Sequence, residues 1–144
     1  MEIPINYLAV LLCGVASMIL GFLWYGPLFG KAWMKEVGMT MPSKEEMKAM
    51  QNKMTKSYVL MFIGALVMAY VLAHSIFFAN AYLGAGAVAS GLQSGFWNWL
   101  GFVVPATMAL VLWEKRTWKW FGIAAGYYLV LMLVMGLILA SWPA

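Results

Sequence analysis

Apolar residues fall in four runs, at about 5–25, 58–78, 95–113 and 118–142. About 20 apolar residues in a helix cross a bilayer core, so each run predicts a transmembrane helix. The first connection, 26–57, is the one sizeable polar segment. The second, Ala-Asn-Ala-Tyr-Leu-Gly-Ala-Gly-Ala-Val-Ala-Ser-Gly-Leu-Gln-Ser, carries no charge, and the third is a tight Glu-Lys-Arg-Thr turn. Within the first connection, Pro42 is followed by Ser43 and, three residues on, Glu46. This capping box predicts a helix start near Lys44. Met47, Met50, Met54, Tyr58 and Met61 then recur at helical steps into the second run. The expected architecture is an all-α, polytopic integral membrane protein. A single domain, 1–144, forms a bundle of four transmembrane helices, with an amphipathic cytoplasmic segment laying its Met face on lipid or neighbours before the second span.

Small residues specify the packing, because lipid offers no hydrophobic drive for helices to associate. Ala9, Cys13, Ser17 and Gly21 form a stripe on the first span, Ala65, Ala69 and Ala73 on the second, and Gly122 and Gly126 a GxxxG on the fourth. Gly26-Pro27 is expected to end the first helix. Pro105 lacks an N–H and deprives the Gly101 carbonyl of its helical partner, so the third span should kink there. Leu23-Trp24 and Leu112-Trp113 hint at two similar hairpins.

Composition excludes a soluble globule. Of 144 residues, 65% are hydrophobic and 10% charged, against roughly 25% charged in soluble domains. The net charge of +4 does not indicate nucleic acid, because its placement reads as an orientation signal and as contact with anionic lipid headgroups. The first and third connections, together with Lys119 just past the third, hold all nine basic residues. The positive-inside rule therefore puts these connections in the cytoplasm and both termini outside, in a plasma (inner) membrane. Glu2 precedes the first run without a Lys or Arg, so no cleavable signal is expected.

Two groups of residues carry candidate chemistry. Trp24, Tyr25, Phe29 and Trp33, with Lys31 and Lys35, fall where the first span meets the cytoplasmic headgroups. Amphipathic rings and snorkelling lysines belong at that depth, and the same residues could form a niche for a headgroup or small ligand: Trp24, Tyr25, Lys31 and Trp33. The one histidine, His74, lies inside the second span with Tyr70 a turn earlier. Ionisable groups in a span point to function by default, and Asn80 and Asn98 should sit at similar depth. The four define a candidate outer polar pocket; a neutral His bonded to a carbonyl is the plain alternative.

Other chemistry is thin. Glu114 beside Lys115 and Arg116 reads as a rim salt bridge, the chain contains no Asp, and Cys13 is a lone packing residue. The methionine spacing would suit Cu(I), but no His or Cys accompanies it and a helical face accounts for it. Nucleotide loops, nucleophile elbows and zinc motifs are absent. Hence no catalytic residues, metal ligands or cofactors are assigned.

Two stretches are similar to a known family: Ile5 to Met34, centred on Trp24-Tyr25-Gly26-Pro27-Leu28-Phe29-Gly30-Lys31, and Trp97 to Trp142, including Trp99-Leu100-Gly101-Phe102 and Pro105. They resemble the bacterial membrane proteins grouped as domain of unknown function 1761. That family commonly has a His after Ala-Gly-Tyr, where this chain has Tyr128, so a role for such a His does not transfer. The resemblance implies a small four-helix membrane protein and no activity.

The leading functional expectation is a non-enzymatic membrane protein that binds a lipid or small hydrophobic ligand or supports a larger membrane complex. Small-residue faces also point to a homo-oligomer. A small oligomeric transporter or channel is the alternative, and a membrane enzyme using His74 and Tyr70 on a lipidic substrate a further one.

Overall fold

The computed structural model describes residues 3–84 and 86–142, so the reading of Glu2 lies outside it. Six α-helices follow one another: α1 (Tyr7–Leu23), α2 (Gly30–Val37), α3 (Lys44–Leu83), α4 (Ala87–Asn98), α5 (Val104–Trp113) and α6 (Trp118–Ser141). π-helical turns at Trp24–Leu28 and Trp99–Val103 join α1 toward α2 and α4 to α5. Four continuous helical stretches, Tyr7–Leu28, Lys44–Leu83, Ala87–Trp113 and Trp118–Ser141, are long and apolar enough to cross a membrane.

Local chemistry sets the helix starts. The Asn6 side chain accepts from the N–H groups of Leu8 and Ala9 at 3.0 and 3.2 Å, opening α1. Ser43 and Glu46 form the expected reciprocal box: the Ser43 N–H donates to Glu46 Oε2 at 2.7 Å, and the Glu46 N–H to Ser43 Oγ at 3.2 Å. Thr117 Oγ1 accepts from the Trp120 N–H at 3.0 Å and opens α6. These bonds satisfy donors that a helix leaves orphaned in its first turn.

The prolines act differently from simple breakers. Pro27 sits inside the first π-helical turn, where the Phe29 N–H reaches back five residues to the Trp24 carbonyl at 2.8 Å. The helix widens by one residue instead of ending at Gly26-Pro27. Before Pro105, the Val104 N–H likewise donates to the Trp99 carbonyl. Where the sequence predicts a kink, the backbone forms a π-helical turn, a common cause of helix distortion.

α6 is the central helix. Half of its apolar window is buried, against 6% for the stretch Ala87–Trp113, and α4, α1 and α3 all pack on it. Cys13, Ala69 and Met135 are fully buried at the meeting of α1, α3 and α6. The small-residue reading holds for Ala9, Cys13, Ser17, Ala65 and Ala69, all buried. Within the bundle Gly122 is not used, since a Cβ there would meet nothing, and at Gly126 a Cβ would meet only the Trp24 ring. The closest backbone approach is at Gly91 and Gly136, where a Cβ on either would fall on the carbonyl oxygen of the other. Gly95 similarly faces the Met132 carbonyl, so α4 and α6 meet backbone to backbone.

One connection differs from the sequence expectation. Much of the uncharged stretch 79–94 is helical: α3 runs to Leu83 and α4 begins at Ala87. Gly84 and Gly86, at φ 59° and 87°, supply left-handed conformations between them. The Met-bearing segment continues into the second span, as its helical steps predict. It is the start of one unbroken 40-residue helix, about 60 Å long at 1.5 Å per residue. Every residue from Gly38 to Met61 is exposed.

The two ends of the bundle differ in chemistry. At one end Lys119 Nζ lies 3.7 Å from Glu36 Oε1, drawing the first and third connections, with their basic residues, together. At the other, Asn6 Nδ2 donates to the Trp142 carbonyl at 3.3 Å, and Ser90 Oγ to Asn80 Oδ1 at 3.4 Å.

Candidate functional site

At the basic end, the π-helical turn after α1 swings a set of rings against α6. Trp24 lies 4.6 Å from Phe29 and 6.3 Å from Tyr127 between ring centroids. Tyr25 lies 5.7 Å from Trp33 and 5.2 Å from Tyr127, which in turn lies 5.1 Å from Tyr128. These separations suit tilted and edge-to-face pairs. Two of the cluster's polar groups are engaged: the Trp24 indole N–H donates to the Ile123 carbonyl at 3.0 Å, and the Tyr127 hydroxyl to the Ser17 carbonyl at 3.2 Å. Three of the four sequence-assigned niche residues, Trp24, Tyr25 and Trp33, therefore gather in one cluster, while Lys31 is exposed beside it. Tyr127 and Tyr128 complete the cluster. The sequence assigns neither to the niche, because both lie on α6, far along the chain, and Tyr128 stands out there only as a departure from the family pattern.

The outer polar residues come together only in pairs. His74 Nδ1 is 2.8 Å from the Tyr70 carbonyl, and the two rings lie 4.6 Å apart. Bonding to a carbonyl assigns the proton to Nδ1. Asn80 pairs with Ser90, as above. Asn98 Nδ2 donates at 2.8 Å to the Ser94 carbonyl of its own helix, so its amide is turned to local backbone.

The concave feature near this region is a groove of about 540 Å³ between α1 and α3. Tyr7, Leu8, Val10 and Leu11 form one wall, and Leu66, Val67 and Tyr70 the other. Its volume is within the range that takes a small ligand. A more open depression of about 650 Å³ lies over Leu92, Gln93, Phe96, Trp97 and Leu133. Among the described residues, no three His, Cys, Asp or Glu side chains cluster to hold a metal ion.

Four spanning helices, a basic end and an apolar lateral groove define a multi-pass helical membrane protein. The family model described as protein of unknown function (DUF1761) matches residues 8–140, and the chain belongs to that family. No curated protein and no solved structure matches the chain significantly.

Proposed function

We propose that the protein is a non-catalytic membrane module that holds one lipid, with an acyl chain in the α1–α3 groove. The observation that carries this reading is the groove itself: about 540 Å³, walled by aliphatic side chains and bordered by Tyr7 and Tyr70. A cleft open sideways to the hydrocarbon region is filled by the solvent there, which is lipid tail. Tyrosine supplies a rigid apolar body with a polar tip, the combination that suits a headgroup boundary. His74, on which the enzymatic alternative depends, has its Nδ1 occupied by its own helix. The orientation is set by the positive-inside rule, with the basic end in the cytoplasm, where Lys31 and Lys35 attract anionic headgroups.

Native mass spectrometry of the gently extracted protein, reconstituted with phosphatidylglycerol, tests this reading. One retained lipid mass per chain is expected. Leu11→Trp, which fills the groove from a position already half exposed, should strip that mass while helicity is unchanged. A bare wild-type chain, or equal retention in the variant, refutes the proposal.

A further inference from the structure

The start of α3 leaves an unusual face. Met47, Met54, Met61 and Met68 repeat at seven-residue spacing, with Met50, Ser57 and Gly64 at the intervening d-type positions. Seven-residue repeats make a seam that supercoils against a partner helix. Met47, Met50, Met54 and Met61 are 49, 41, 37 and 51% exposed. A Cβ at Gly64 would meet nothing within 4 Å. Farther on, Val71 and Phe78 continue the seam and are 54 and 60% exposed. The bundle instead uses Ala65, Ala69, Leu72 and Ile76, which occupy the neighbouring b and e positions. The groove takes Leu66, Val67 and Tyr70. α3 therefore has a third face that neither the bundle nor the groove uses, clear from Met47 to Gly64; beyond it the a-type Met68 packs against the core and only the d-type side stays open.

We infer that the third face pairs with α3 of a second copy, as a parallel two-helix seam running from Met47 through Gly64 into the membrane. Three observations select this occupant. The helix runs unbroken from Lys44 to Leu83, with no Gly or Pro between Pro42 and Gly64 to turn it onto a bilayer surface. A helix that leaves the membrane without bending carries its methionines away from lipid. Copies inserted with one topology place their α3 helices parallel and in register, so each seam residue meets its own equivalent. The flanking charges also permit it: Glu46 and Lys53, at g positions, face Gln51 and Tyr58 of the other copy at e, with no like-charge clash.

Length argues for continuation into the membrane. About two heptads lie outside the apolar run, fewer than the three to four that a sustained coiled coil needs. Confinement in one bilayer raises the effective concentration of the second helix, and an exposed glycine at position 64 permits close approach there. This inference goes beyond the lipid-holding role and does not depend on it.

Cysteine cross-linking of the full chain in native membranes tests the inference. In a Cys13→Ala background, Met50→Cys and Ser57→Cys should each form disulfide dimers under mild oxidation. The yield should exceed by several-fold that of Asn52→Cys, on the opposite side of the helix. Adding Gly64→Leu, which the single chain accommodates in open space, should reduce the Ser57→Cys yield several-fold. Equal yields at positions 50, 57 and 52 would reveal only collisions and overturn the inference. So would no dimer at any site, including the case where positions 50 and 57 are shielded from water-soluble maleimide by lipid. An unchanged yield with Gly64→Leu overturns the seam's extension into the membrane.

Discussion

Trp24 and Trp99 perform the same task in different spans: each opens a π-helical turn, and each donates its indole N–H to a carbonyl of α6. The acceptors are Ile123 at 3.0 Å and Ala125 at 2.7 Å. The two turns thereby pin the spans on either side of the central helix at one depth. The hinted repeat between Leu23-Trp24 and Leu112-Trp113 is therefore not the structural one. Trp113 is 85% exposed, and the counterpart of Trp24 is Trp99.

Replacing either pinning tryptophan by phenylalanine retains a ring and removes the N–H. The acceptor carbonyls keep their helical partners, so the cost should stay near that of one hydrogen bond, about 0.5–1.5 kcal/mol. Trp24→Phe and Trp99→Phe should each lower unfolding stability in mixed micelles by that amount. A loss several times larger would show that ring packing, rather than the bond, dominates.

Gly91→Ala and Gly136→Ala should be among the most damaging small changes. A methyl at either position lands on opposing backbone, which cannot rotate away as a side chain can. Overpacking typically costs about 1–3 kcal/mol, and contact with backbone belongs at the upper end. Gly122→Ala, with open space around it, should be neutral or slightly stabilising. Thermal unfolding of the three variants side by side checks the order.

The contrast among these glycines shows what the sequence makes legible. Four spans can be read because a bilayer requires long apolar runs, and the shared basic end because the charges lie in two connections. The Ser43–Glu46 box is local and also readable. Which glycine meets which backbone depends on the register between α4 and α6, which no single stretch encodes; Gly122-x-x-x-Gly126 looked the better pair. Pro27 and Pro105 marked the distortions, but the extra residue taken up in each turn depends on indole bonds to a distant helix. For the candidate site, Tyr25 and Trp33 were readable as neighbours on one short segment, whereas Tyr127 reaches them only through the tertiary fold.

The start of α3 should respond to acid. The Ser43 backbone and side-chain bonds hold the Glu46 carboxyl below its ordinary value of 4.5. A depressed carboxyl contributes its stabilisation above that ordinary value and loses it as pH falls through its lower folded value. Protection of the amides over residues 43–47, taken relative to their intrinsic exchange rates at each pH, should therefore be high at neutral pH and fall in acid below that value. Ser43→Ala should remove most of the pH dependence, and an unchanged profile would count against the box in solution.

The junction at the basic end separates two electrostatic effects acting on one carboxylate. Thr117 opens α6 and donates its hydroxyl proton to Glu36 Oε2, while the Trp120 N–H donates to the same hydroxyl oxygen. The first turn of α6 contains no acidic residue of its own. Glu36, brought in on α2, supplies the negative charge that a helix N-terminus favours, worth about 0.3–1 kcal/mol. Its ion pair with Lys119 should contribute less, because the lysine side chain is 60% exposed and such pairs are screened and entropically costly. Glu36→Gln should therefore destabilise the protein more than Lys119→Met, and added salt should narrow the gap only partly, because the Thr117 bond persists. Equilibrium unfolding of both variants at low and high salt decides it. A larger loss for Lys119→Met would assign the junction to the ion pair and remove the helix terminus from the account.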